Sequence, residues 1–239
     1  MSVDAAPVVR LASVGSTLDV LHELAQRGAP HGTLVVAEEQ LQGRGRRGAH
    51  WHSPRGGLWL SLLHRPLAQP TAEVLSLRVG MAVAEGLDRL GLAPPLRLKW
   101  PNDLILADRK LGGVLCEGRW HGATLGWIAI GLGINVRNPI PPEVADRAGR
   151  LADLAPGIEL EAVLDAVREA LAGLPAAGGE RLTEAELTRF AGRDWLRGRR
   201  IREPEAGVAD GIDRDGALRV RRADGSIVPV RAGRVEIAE

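Results

Sequence analysis

The sequence has no tyrosine, one phenylalanine and one cysteine in 239 residues. A lone Cys116 excludes an intrachain disulfide framework and a cysteine-built zinc site, which fits a reducing interior, so a cytoplasmic protein is expected. With so few aromatics there is little on which strands could stack single-stranded bases. Long apolar runs are missing too. No stretch approaches the roughly eighteen uninterrupted apolar residues of a membrane helix, and the first eleven residues carry Asp4 where a signal peptide has its apolar core. Neither secretion nor membrane insertion is expected. Nor does one charge prevail: 31 Lys plus Arg stand against 30 Asp plus Glu, a net +1, so any cationic surface must be local.

Only two of the 31 basic residues are lysines, Lys99 and Lys110. In a chain biased toward Arg, Ala and Gly they persist either by chance or because a compact point charge does what a planar guanidinium fork does not. What is plentiful is apolar content, 45% of residues, enough for a substantial core in one domain or one domain with a small appendage. Ser16 followed by Asp19 reads as a capping box for a helix over 17–27 that Gly28 stops. Short β-rich runs at 33–38 and 58–64 flank a loop rich in Gly and Arg, and 72–90 reads as a buried helix. Strands follow at 96–100, 104–107, 114–117 and 127–136, with Asp108-Arg109 as a tight turn, which implies hairpins in an antiparallel or mixed sheet. Helices are expected at 142–154, 158–173 and 183–192, the last two separated by a break at 175–179. From Arg193 onward, short alternating strands with turns at Asp215-Gly216 and Asp224-Gly225 form a small all-β unit that must pack on the rest. The expected class is α+β, with domains at 1–192 and 193–239.

Two clusters concentrate the chemistry. Between Glu39 and Glu73 there is no acidic residue, while Arg44, Arg46, Arg47, Arg55 and Arg65 all occur. Gly43-Arg44-Gly45-Arg46-Arg47-Gly48 alternates residues that let backbone amides approach a ligand with residues that hold anionic oxygens. An anionic ligand fits, as does a solvated loop or a nonspecific nucleic-acid patch. Trp51, just beyond, could cover a heterocycle or sugar, or lie in the core. Being self-repelling and unanchored, this loop is expected to be mobile until an anion supplies counter-charge. The second cluster, Lys99-Trp100-Pro101-Asn102-Asp103, sets Asn102 and Asp103 on a turn, where they bond a ligand or their own backbone. Lys110 returns on the next strand beside Gly112-Gly113, and Gly131-Leu132-Gly133-Ile134-Asn135 lies in the last. These glycines read either as a sheet face approached by a small molecule or as strand bulges. No nucleophile triad or metal-ligand spacing stands out, His22, His31, His64 and His121 are isolated, and Cys116 reads as a small buried hydrophobe. Cations, amides and a Trp without a nucleophile suit nucleotidyl or phosphoryl chemistry.

Together, Ser16-Thr17, Ala37-Glu38-Glu39-Gln40, the 43–48 run with Trp51, the 99–103 pentapeptide, Asp108-Arg109-Lys110-Leu111, Glu117 and the 131–135 run resemble the biotin protein ligases. The resemblance implies a mixed sheet with helices, akin to class II aminoacyl-tRNA synthetases, followed by an SH3-like β-barrel. It implies that biotin and MgATP give biotinyl-5′-AMP, from which a lysine of a biotin carboxyl carrier protein takes the biotinyl group. Catalysis would then fall to Lys110 and Arg46. Biotin would lie against Ser16, Thr17, Leu18, Gln40, Arg44, Gly45, Arg46, Lys110, Gly113, Gly131 and Gly133. ATP would meet Arg46, Trp51, Lys99, Asn102, Asp103 and Asn135, with Asp103 toward Mg2+. Fifteen residues precede Ser16, too few for a winged helix-turn-helix, so specific DNA binding is not expected; a monomer or weak homodimer is. The alternative is a lipoate or octanoate ligase or transferase of the same fold.

Overall fold

The structure is a computed structural model describing residues 6–65, 71–174 and 179–238. Seven strands form a mixed sheet: β1 Val8–Leu11, β2 Leu34–Ala37, β3 Leu58–His64, β4 Arg97–Lys99, β5 Asp103–Leu106, β6 Arg109–His121 and β7 Thr124–Ile134. Their spatial order is β1-β2-β3-β7-β6-β5-β4, with β1 parallel to β2 and the other pairs antiparallel. Because strand side chains alternate, each face has its own cover. Helix α1, Thr17–Gln26, lays Leu18, Leu21 and Ala25 against Val35, Leu63, Trp127 and Ala129 on one face. Helices α2, Ala72–Asp88, and α3, Leu160–Ala172, bury the other face with Leu60, Leu62, Ile130 and Leu132. Helix α4, Glu184–Arg193, starts with a capping box in which Thr183 and Glu186 satisfy each other's amides.

Most elements fall where the sequence places them, and the departures have local causes. The tight turn sits one residue early, at Ala107 and Asp108, both with positive φ (47° and 60°). Strand β6 runs far beyond 114–117 because its exposed outer half, with Arg119, Trp120 and His121, is held by backbone pairing to β7 and not by apolar burial. The expected helix at 142–154 is two separate single turns, Pro142–Val144 and Leu151–Asp153. Its amides are recruited elsewhere: Leu151 and Ala152 donate to Asn135 and Val136, and Gly149 donates to Lys110. Of the expected break at 175–179, all but Gly179 lies outside the described residues.

A second, antiparallel sheet follows: β8 Arg200–Glu203, β9 Gly207–Ile212, β10 Leu218–Arg221, β11 Ile227–Val230 and β12 Glu236–Ile237. Its order, β11-β10-β9-β8-β12, leaves the two end strands unpaired with each other, so it is an open sheet where a closed barrel was expected. Its core residues Ile201, Ala209, Leu218 and Val220 merge with those of the main domain. Trp100 donates its indole N–H to the Gly216 carbonyl at 2.8 Å. A buried Trp whose polar end is satisfied is a strong local tie between the two sheets.

Candidate active site

Strand register assembles the site. Lys99 opposes Asp103, Asp103 opposes Gly113, Gly113 opposes Gly133 and Gly133 opposes Trp59, so the five share the α1 face in one cross-strand row. The neighbouring row on that face runs through Leu115, Gly131 and Ser61. Over this floor the chain from Gln40 to Ser53 folds as an irregular hairpin, tied by Gln40 N–H to the Ser53 carbonyl and Trp51 N–H to the Gly43 carbonyl. Gly43 stands at its neck, where a Cβ would lie 2.3 Å from the Trp51 carbonyl and 2.6 Å from Ser53 Oγ. Only glycine fits there.

At the start of α1 the expected capping box does not form. Ser16 occupies the N-cap without a side-chain cap bond. Thr17 N–H and Thr17 Oγ1 donate instead to Gln40 Oε1 at 2.9 and 3.0 Å. Asp19 is taken by Arg44, whose Nη1 lies 2.7 Å from its carboxylate; a charged partner outcompetes a backbone amide. Thr17 Oγ1 also meets Ser61 Oγ at 2.8 Å, and Gln40 Nε2 donates to Ser53 Oγ. Among the described residues the Ser16 hydroxyl is left buried with no partner, and so is the Trp51 indole N–H. Buried polar groups are nearly always paired, so two orphans on one surface mark the place where a ligand's polar atoms belong.

The glycines of β7 admit protein before ligand. A Cβ at Gly133 would fall 2.5 Å from Trp51 Nε1, and one at Gly131 would fall 3.0 Å from Leu18. Trp51 therefore stands on Gly133 and Leu18 on Gly131, as two walls of the site. Lys110 Nζ lies 5.2 Å from the centre of the Trp51 ring and 2.7 Å from Asp103 Oδ1. Its backbone is fixed as well, since its N–H donates to the Arg147 carbonyl at 2.7 Å. Lys99 sits deeper, with Nζ 5.4 Å from the Trp195 ring centre. Burial lowers its pKa, while the facing Asp103 opposes that fall.

Arg44 also differs from the expectation for a self-repelling loop, because Asp19 and Glu117 both give it counter-charge. Among the described residues neither Arg46 nor Arg47 has an ion-pair partner, and Gly45 bonds Ala49 within the loop. Arg46 lines a small cavity of about 180 Å³ with Glu73, Ser76 and Cys116. Burial pushes the Cys116 thiol up to about 12, so it is no nucleophile at neutral pH.

Three expected ligand residues have protein partners in this structure. Asn135 is buried, donates to the Gly149 carbonyl and accepts from Asn138 Nδ2. Asn102 Nδ2 donates to the Val114 carbonyl at 2.6 Å. Asp103 is the counter-ion of Lys110, and among the described residues no three His, Cys, Asp or Glu side chains group to hold a metal. Sequence reading also missed Ser61, the lone polar residue in the buried strand Leu58–His64 before its terminal His64, which was its signal. His22 is not isolated but bonds Glu117 and Trp127.

Residues 11–135 match the biotin/lipoate A/B protein ligase family and residues 200–237 match the biotin protein ligase C-terminal domain. The chain belongs to the biotin/lipoate A/B protein ligase family. It is 30% identical to the biotin–[acetyl-CoA-carboxylase] ligase of Paracoccus denitrificans over 82% of this chain and 87% of that one. It is 38% identical to the bifunctional ligase/repressor BirA of Bacillus subtilis over 59% of this chain and 45% of that one, so it spans less than half that relative's length. The structure of the biotin protein ligase from Aquifex aeolicus in complex with biotin and ATP superposes with a TM-score of 0.79 at 26% identity, over 97% of this chain and 98% of that one.

Proposed function

We propose that this chain is a biotin protein ligase, which joins biotin to ATP as biotinyl-5′-AMP and then passes the biotinyl group to a lysine of a biotin carboxyl carrier protein. In the first step a biotin carboxylate oxygen attacks the α-phosphorus and pyrophosphate leaves. In the second the carrier's lysine amine attacks the acyl carbon, AMP leaves and the amine loses a proton. The observation that carries this reading is the pair of buried groups without a partner among the described residues, Ser16 Oγ and Trp51 Nε1, the first at the end of α1 tied to the hairpin through Thr17 and Gln40 and the second beside Lys110. A ligand with a polar ring system and an anionic tail satisfies all three.

The first step brings two anions together, and its barrier falls when cations already stand where charge accumulates. Lys110, held by Asp103 and Trp51, would meet the carboxylate and the α-phosphate. Arg46, which has no ion-pair partner among the described residues and here lines the cavity with Glu73, Ser76 and Cys116, would turn from that cavity to join it. Ser16, Thr17, Leu18, Gln40, Gly131 and Gly133 would surround the ring system, and Lys99 would support the row behind. Mg2+ would come with the ATP phosphates, which together with water supply most of its oxygen ligands and leave room for one or two protein carboxylates such as Asp103. We place the ligand-activating unit within residues 1–192 and the appended β unit at 193–239. The deciding experiment is pyrophosphate release from ATP with biotin, lipoate or octanoate. Release with biotin alone supports the reading; release with lipoate or octanoate alone moves the chain to the other branch of its family.

A further inference from the structure

Beneath Arg44 lies a chain of hydrogen bonds that neither step of the ligase reaction uses. Trp127 Nε1 donates to His22 Nδ1 at 3.0 Å, with both residues buried. His22 Nε2 lies 3.0 Å from Glu117 Oε2. The same Glu117 oxygen lies 3.5 Å from Arg44 Nη2, and Arg44 Nη1 reaches Asp19 at 2.7 Å. An indole N–H only donates, so Nδ1 of His22 must carry a lone pair. The imidazole proton then sits on Nε2 and is donated to Glu117. His22 is a neutral donor here: it orients the carboxylate without spending its negative charge, which stays available to Arg44. The His22 hydrogen bond, followed by the Arg44 charge, holds the Glu117 carboxyl below its ordinary value.

We propose that Trp127, His22 and Glu117 are a positioning relay that, with Asp19, fastens Arg44 and so holds the 43–51 hairpin over the site before any ligand arrives. Trp51 seats one arm of the hairpin on Gly133, Arg44 fastens the other, and the tip at 47–50 is exposed with no backbone bond to the sheet among the described residues. Its use rests on the ligase reading: a hairpin already in place spares the incoming ligand the cost of collecting it, which raises apparent affinity by the fraction of molecules so arranged. None of the three relay residues touches the reacting atoms.

The test is amide hydrogen exchange of the free, full chain, read at Gly45, Ala49 and Trp51, whose N–H groups are bonded within the hairpin. Glu117→Gln keeps an acceptor for His22 but removes the charge. It should speed exchange at these three amides by about tenfold, as expected for the loss of a charged hydrogen bond, with the Ala129–Leu132 stretch of β7 unchanged. His22→Phe should do the same. His22→Gln, whose amide offers an acceptor to Trp127 and a donor to Glu117, should stay within about threefold of the parent. Parental exchange in Glu117→Gln, or hairpin and β7 accelerating together, overturns the relay. Exchange in His22→Gln as fast as in His22→Phe removes His22 from it, and Glu117→Gln decides alone should His22→Phe not fold. In biotin-dependent pyrophosphate exchange, KM for biotin should rise by more than kcat falls. A parent without such activity would refute the ligase reading, and the exchange rates at the three hairpin amides would still decide the relay.

Discussion

Lys110 and Ser16 face the same ligand but enter folding with opposite balances. Lys110 has an ion-pair partner in Asp103 and a ring beneath it, whereas the Ser16 hydroxyl is buried with nothing to bond among the described residues. Lys110→Gln should slow biotin-dependent pyrophosphate exchange on the order of a hundredfold or more, because a cation positioned at developing charge supplies several kcal/mol. Lys110→Arg should also be poor, since a planar fork does not fit between two oxygens that a compact ammonium spans. If Lys110→Gln stays within a few-fold of the parent in a folded variant, the reacting cation is Arg44, Arg46 or Lys99. Ser16→Ala removes an unsatisfied group and no cap bond. Its melting temperature should hold or rise, by the equivalent of about 1 kcal/mol, while biotin binding by titration calorimetry weakens. A loss of both would mean that Ser16 serves the helix and not the ligand. Scarcity in the sequence pointed to Lys110. It could not point to His22, whose partner Glu117 is 95 positions away.

At the scale of elements, the active-site hairpin and β7 are fitted to each other through glycine. Trp51 rests where a Gly133 side chain would be. Gly133→Ala should lift Trp51 and the hairpin with it, and weaken biotin affinity by at least about tenfold. The cost to the strand itself should be small, since alanine is accepted in an extended backbone. Calorimetric titration beside a thermal melt separates the two effects, and unchanged affinity would show that the indole does not need that seat. Strands and helices built on near-continuous apolar runs, such as Leu58–His64 and Ala72–Asp88, were legible because burial alone fixes them. The 142–154 stretch was not, because its backbone amides bond to β6 and to the end of β7, a long-range choice that no local pattern records. The candidate site shows the same division. Its residue types stand out in the sequence, but the row linking Lys99, Asp103, Gly113 and Gly133 exists only once strand register is set.

At the scale of the whole molecule, the pair His31 and His64 is expected to set acid stability and not chemistry. His64 is buried at the end of β3, 5.3 Å from the His31 ring, and His31 Nδ1 accepts the Arg65 N–H. Burial, and then the nearby His31, lowers the His64 pKa to about 4, and burial lowers that of His31 as well. An unfolded histidine titrates near 6.5. Above that value both states are neutral and the fold keeps its full stability. Between about 6.5 and 4 the unfolded chain binds a proton that folded His64 refuses, so stability falls as pH falls. Below 4 both states are protonated and the loss levels off, at up to about 3 kcal/mol for His64 alone. Paired carboxylates such as Glu186, held below its ordinary value beside Arg78, add a loss of the same sign at lower pH. A substitution is therefore needed to separate the two. His64→Leu removes the titrating ring from a site with no hydrogen bond to lose among the described residues. Its melting temperature should fall clearly less between pH 6.5 and 4.5 than that of the parent, the remainder coming from His31. Parallel slopes for the two proteins across that interval, measured by calorimetry in buffers of equal ionic strength, would place the acid sensitivity in the carboxylate pairs instead.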